Sequence, residues 1–178
     1  MVKVAELINE LVKDAGYINN DEQKVDVEEL LVKYLKQGNS KEHKRLLQKY
    51  DKGAKLTGEN GLRRKLAAID LEYFGRAYFH HYFVRKSPEF HRELDDIWQE
   101  AVLKGKNPED EAAARELAQL NGSKRAIAAP RGHAKSTTFT FKDSLHAILY
   151  EYKHYILILS DSSDQAKGFL GDIKIELE

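Results

Sequence analysis

Cysteine is absent from this 178-residue chain. That excludes disulfides and thiolate chemistry, and it suits a reducing compartment. A net charge is absent too: 29 basic residues balance 29 acidic ones. No overall field therefore draws the molecule to nucleic acid or to a membrane, and a polyanion must be met by local patches. No run approaches the roughly 18 apolar residues of a membrane span. The opening Met1-Val2-Lys3-Val4-Ala5-Glu6 carries charge where a signal peptide is apolar. We expect a soluble, cytoplasmic protein without membrane contact. The length suffices for one domain with a real core, or for a small domain plus part of another.

The first 56 residues read as a small helical unit. Val4, Leu7, Ile8, Leu11 and Val12 recur at helical spacing ahead of Gly16. Asp26 and Glu29 make a cap pattern before Leu30, Leu31, Tyr34 and Leu35, and Gly38 ends that helix. Ser40 caps a third helix through Leu46, Leu47 and Tyr50. Charge is split along this unit. Residues 33–55 hold eight basic and two acidic side chains, and residues 1–31 hold three basic and eight acidic. Solvated helix faces account for that split, and a weak polyanion or partner surface is the alternative.

Thr57-Gly58-Glu59-Asn60-Gly61 reads as a linker. A long helix is predicted from Leu62 to about Phe83, with Tyr73, Phe74, Tyr78, Phe79, Tyr82 and Phe83 as an aromatic core stripe. His80 and His81 are adjacent, point in different directions on a helix and cannot jointly hold a metal. Ser87-Pro88 opens a helix through Phe90, Leu94, Ile97, Trp98 and Val102, and Asn107-Pro108 opens another to about Leu120.

The chemistry-bearing stretch is Ala129-Pro130-Arg131-Gly132-His133-Ala134-Lys135-Ser136-Thr137. It follows a short apolar run, Ala126 to Ala129, and precedes a segment with Phe141, Leu145, Ile148 and Leu149 at helical spacing. Strand, tight turn, then Lys-Ser at a helix start is the layout of a phosphate-binding loop. The helix N-terminus offers free N–H groups and a positive dipole end. Lys135 would reach the β/γ-phosphates of ATP, and the Ser136 hydroxyl would ligate Mg²⁺. Both glycines of the G-x-x-x-x-G-K-[ST] pattern are alanines here, Ala129 and Ala134. Either both keep negative φ, or Gly132 takes the unusual turn. An ordinary basic turn capping a helix is the plain alternative.

Thr137-Thr138-Phe139-Thr140-Phe141 alternates like a strand, yet a helix is expected there because the apolar spacing continues beyond it. Tyr155 to Leu159 is an unbroken apolar run, expected as a buried parallel strand. Ser162 and Gln165 form a capping box for a helix bearing Ala166, Phe169, Leu170, Ile173 and Leu177. The expected order over 124–178 is strand, loop, helix, strand, helix, the start of a parallel α/β sheet.

Three stretches resemble the large terminase subunits of tailed bacteriophages, the motors that package DNA. Pro130 to Thr137 resembles their Walker A loop. Tyr82-Phe83, Pro88 and Phe90-His91-Arg92-Glu93-Leu94 look like the region leading into their ATPase fold, and Tyr155 to Asp161 with Gln165-Ala166 looks like the strand and helix that follow. The resemblance spans about 70–178. It implies an α/β fold in which 62–178 is the start of a P-loop (RecA-like) parallel-sheet ATPase, with 62–121 as a helical lead-in. It implies ATP and Mg²⁺ as cofactors, with Lys135 on the phosphates and Ser136 on the metal. Arg131 falls where some terminases carry an arginine finger in cis, although a salt bridge would also explain it; His133 could bond a phosphate. Phe90 and His91 become candidates for the adenine contact, by stacking and edge hydrogen bonding. Double-stranded DNA, a portal protein, a small terminase subunit and a ring of like subunits in the host cytoplasm follow as implied partners and setting.

An acidic pair ending a second strand, needed to hold Mg²⁺ and polarise water, is not found. Asp161 is the one candidate, and a helix-capping role with Ser162 suits it better. No acidic cluster suggests a nuclease. We therefore expect an N-terminal piece of a longer protein that binds ATP weakly without turning it over. Another P-loop motor of helicase type, or a non-catalytic helical interaction protein, are the competing readings.

Overall fold

The computed structural model describes residues 27–83, 87–103, 124–130 and 132–178. They fall into two compact units, Met1–Ser87 with Ile175–Glu178, and Pro88–Lys174. The helix expected over residues 3–14, the one opened by Asn107-Pro108 and Arg131 lie outside the described residues.

In the first unit, α1 (Val27–Gln37) packs on α2 (Lys41–Asp51), α2 on α3 (Leu62–Ile69), and α3 on α4 (Leu71–Tyr78). The aromatic and leucine positions form the core: Leu31, Leu35, Leu62, Leu66, Leu71, Tyr73, Phe74 and Phe79 are buried almost completely. Ser40 caps α2 by accepting a hydrogen bond from the His43 N–H at 3.2 Å. Gly38 is required between α1 and α2 by close approach, since a Cβ there would overlap the His43 ring.

The single long helix expected from Leu62 to Phe83 is instead two helices broken at Asp70. Its extended backbone (φ −130°, ψ 101°) ends α3, and its carboxylate starts α4 by accepting from the Tyr73 N–H at 2.8 Å. A short acidic side chain competes with the helix for its own backbone, which the apolar periodicity conceals. The second carboxylate oxygen lies 3.3 Å from His43 Nε2 on α2, so one residue both turns the chain and ties two helices together. The aromatic stripe also stops earlier than expected. Phe79 is fully buried, whereas Tyr82 is 46 % exposed.

In the second unit, α5 (Glu89–Leu103) packs on α6, a continuous helical run with wide π-type winding over Ser136–Asp143 and ordinary winding over Ser144–Leu149. The helix rather than the strand thus forms over Thr137–Phe141. Residues 153–160, without regular secondary structure, follow, and then α7 (Ser163–Leu177), whose residues from Ile175 on belong to the first unit. Half of the expected capping box forms: the Gln165 N–H donates to Ser162 Oγ at 3.3 Å, while the Gln165 side chain bonds Ser160 Oγ instead.

The parallel sheet is not formed. Among the described residues there is no strand, because 124–130 and 155–160 carry no regular secondary structure and make no ladder with each other or with any other described residue. Tyr155, Leu157 and Leu159 are 80, 64 and 82 % exposed, so no layer covers that face. A short apolar run states only that the segment can be a strand. Pairing needs a neighbour at hydrogen-bonding distance, and none of the described residues supplies one. The α/β, RecA-like assignment is therefore replaced, over the described residues, by a helical architecture with irregular connections.

Replacing Asp70 with Ala removes the α4 cap and the His43 contact. Urea denaturation should show a loss of about 1–2 kcal/mol, whereas Asp70→Asn, which can still cap, should keep most of it.

Candidate functional site

The loop before α6 is shaped by two left-handed residues. Gly132 has φ +79° and Ala134 φ +53°. At Gly132 the demand is purely conformational, since a Cβ would meet nothing within 4 Å. Ala134 takes the conformation that the glycine of a standard phosphate loop would take freely, and its Cβ makes that cost roughly 1–2 kcal/mol. Ala129 has no such backbone. Lys135 then returns to right-handed geometry (φ −52°, ψ −48°), and the Thr138 N–H donates to the Ala134 carbonyl at 2.8 Å, closing the first turn. A left-handed residue followed by a right-handed one is the backbone pattern of an anion-binding nest.

The Lys135 side chain folds back over this loop. Its ammonium donates to the Pro130 carbonyl at 2.8 Å and also to that of Ala129. The cation is thus held in the mouth of the loop by neutral acceptors that an anion could replace. Ser136, Gly132, His133 and Pro130 are exposed, and Thr137 is half-buried. The first turn of α6 is open to a ligand.

Phe90 and His91, at the start of α5, sit beside the same loop. His91 Nε2 lies 3.1 Å from the His133 carbonyl. A carbonyl only accepts, so Nε2 carries the proton. The Phe90 ring is 5.5 Å from the His133 ring. Ala129, Pro130, His133, Lys135, Phe90 and His91 are therefore brought together. Asp161 lies apart from these contacts, with its carboxylate 3.4 Å from Ser160 Oγ. No group of three or more His, Cys, Asp or Glu side chains among the described residues could hold a metal; the expected metal ligand, Ser136, is exposed at the start of α6.

Beneath the loop lies a charged cluster that the sequence reading missed. Lys142, whose side chain is 4 % exposed, places Nζ 2.5 Å from Asp95 Oδ1 on α5 and 3.4 Å from Asp143 Oδ1. Asp143 is fully buried, and neither of its oxygens makes a hydrogen bond of good geometry; Thr138 Oγ1 is likewise buried and unbonded. The wide winding brings this about, because an i→i+5 repeat stacks Thr138 against Lys142 and Asp143. The Ser144 hydroxyl bonds the Phe139 carbonyl at 3.2 Å, across the same five-residue span. The signal was present in the sequence: two adjacent charges, Lys142-Asp143, interrupt the apolar stripe between Phe141 and Leu145. Burial pushes the Asp143 carboxyl up from 3.8 to about 7, with Lys142 opposing and Asp95 adding to the rise.

No protein-family model, curated protein or solved structure matches this chain.

Two outcomes are expected. Ala134→Gly relieves the left-handed strain and should raise stability by about 1 kcal/mol in urea denaturation. Asp143 binds its proton more tightly folded than unfolded. Its contribution is therefore full below pH 3.8 and is lost as pH rises through about 7, which makes the ionised form cost about 4 kcal/mol. The stability of the unsubstituted chain should fall across that window relative to Asp143→Asn, and parallel pH profiles of the two would refute the assignment.

Proposed function

We propose that residues 129–137, with the first turn of α6, bind the phosphates of a nucleoside triphosphate. The observation that carries this reading is the left-handed to right-handed backbone step at Ala134-Lys135, with the Lys135 ammonium held over the loop by the Ala129 and Pro130 carbonyls. Lys135 would neutralise phosphate charge, and an ammonium meets it as a mobile point charge. Gly132 lets the backbone turn towards the ligand, and Ser136 would hold Mg²⁺ beside it. His91, by bonding the His133 carbonyl, keeps the loop in place from α5, and Phe90 and the His133 ring offer apolar surface next to it. When bound, ATP supplies a phosphoanhydride whose cleavage can drive movement.

This reading draws on a loop and a helix and calls on no sheet. The likeness of the stretches around Phe90, Lys135 and Tyr155 to packaging terminases supports placing the nucleotide in a motor that moves double-stranded DNA, working as a ring with a portal protein and a small terminase subunit.

Lys135→Ala should weaken binding of a fluorescent ATP analogue in the presence of Mg²⁺ by roughly 10–100-fold, the worth of one charge-assisted contact, with the helical circular dichroism unchanged. Equal affinity for the two proteins would remove the phosphate role of the loop.

A further inference from the structure

The solvent face of α2 is a row of cations. Residues 33–55 hold eight basic and two acidic side chains, and the fold does not scatter them. At about 3.6 residues per turn, His43 and Leu46 mark the side of α2 turned to the core, and both are buried. Lys41, Lys44, Arg45, Gln48 and Lys52 fall on the side away from them, and all five are exposed. The two acids, Glu42 and Asp51, stand at opposite edges of this row. Lys49 borders it half-buried, and Lys33, Lys36 and Lys55 are further exposed cations of the same stretch.

Little neutralises the row. Lys41, Lys44 and Lys52 pair with no carboxylate among the described residues. Arg45 meets Glu42 at 3.7 Å with both side chains more than half exposed, an arrangement that contributes little in water. On α1, the Glu28 carboxylate accepts from the Tyr50 hydroxyl at 2.7 Å.

The chemistry of the row selects its partner. It contains no apolar side chain, because the apolar face of α2 lies in the core, so it cannot sink into a bilayer as an interfacial helix does. The centre of a protein–protein interface is poor in lysine and rich in aromatic anchors, and the row has no anchor. No ring stands in it on which an unpaired base could stack. A duplex backbone asks for none of these. It offers one negative charge per roughly 1.7 Å of its axis and is met by lysine and arginine. Helix positions three or four apart lie about 5–6 Å from each other, and Lys41 to Lys52 covers about 16 Å of helix, enough to follow several phosphates.

We propose that the outer face of α2, through Lys41, Lys44, Arg45 and Lys52, is a docking surface for the phosphate backbone of double-stranded DNA. Contacts of this kind position a duplex without reading its bases. The proposal names a surface for the duplex partner and does not rest on nucleotide binding by the loop, which belongs to the other unit.

The test is fluorescence anisotropy of a labelled DNA duplex of mixed sequence, titrated with the whole chain carrying Lys135→Ala and without nucleotide, so that the loop does not decide the outcome. The duplex should bind in about 50 mM salt, and log Kd should rise with log salt by roughly 0.9 for each cation engaged, at least about 3.6 for the four. Lys41→Gln, Lys44→Gln, Arg45→Gln and Lys52→Gln together should weaken binding at least about tenfold and remove that part of the slope, with the helical circular dichroism unchanged. Where this variant loses its helical signal, Lys44→Gln with Lys52→Gln should lower the slope by about 2. An equal loss of charge on the other unit, by Lys124→Gln, Lys153→Gln, Lys167→Gln and Lys174→Gln, all at exposed positions, should leave the slope as it was. Arginine at the three lysine positions should preserve binding. Absence of duplex binding, an equal loss from both fourfold variants, or tighter binding to the single strand or to anionic phospholipid vesicles than to the duplex overturns the proposal.

Discussion

One buried ammonium organises the unit that carries the candidate site. Lys142 sits where two helices meet, with Asp95 of α5 on one side and Asp143 of its own helix on the other. A charge taken out of water is tolerated only beside its partners, so this contact fixes which faces of α5 and α6 meet. It thereby sets where the first turns of both helices come to lie. Phe90 and His91 belong to one of those turns and Lys135 and Ser136 to the other, so the loop between them inherits its placement from a salt bridge two turns away.

The same cluster explains why the helix after the loop winds as it does. An ordinary i→i+4 repeat would spread Thr138, Lys142 and Asp143 around more of the circumference. The wider repeat gathers them against α5, at the cost of poorer backbone geometry. The loop itself is strained at Ala134. Irregular winding and a left-handed alanine thus stand within a few residues of each other, on the segment whose sequence carries the most chemistry. Strained backbone concentrates where ligands are bound, and that inference runs from the outlier to the function.

Helices announced themselves in the sequence, and the sheet it also suggested does not form among the described residues. The stripes of α1, α2, α5 and α7 and the Ser40 cap could be read directly, because helix periodicity and capping are local. The loop could be read for the same reason: turn, lysine and hydroxyl are consecutive. What could not be read depends on distant partners. Asp70 looked like one more polar position inside a helix, yet its carboxylate found Tyr73 and His43. Tyr155 to Leu159 looked like a buried strand, yet burial belongs to a pair of surfaces and cannot be read from one. Lys142-Asp143 was passed over because its counterpart, Asp95, lies 47 residues earlier.

The uncovered run at 155–159 has a consequence for handling the protein. Alternating bulky apolar side chains on a backbone whose N–H and C=O groups pair with no other described residue make a template onto which another extended chain can add. Adhesion between molecules at high concentration would begin there. Lys153 and His154 on one flank, and Asp161 and Asp164 on the other, act as gatekeepers that make stacking in register electrostatically costly. The chain's tendency to self-associate is therefore set by these four flanking residues more than by its balanced overall charge, and added salt, by screening them, would favour adhesion.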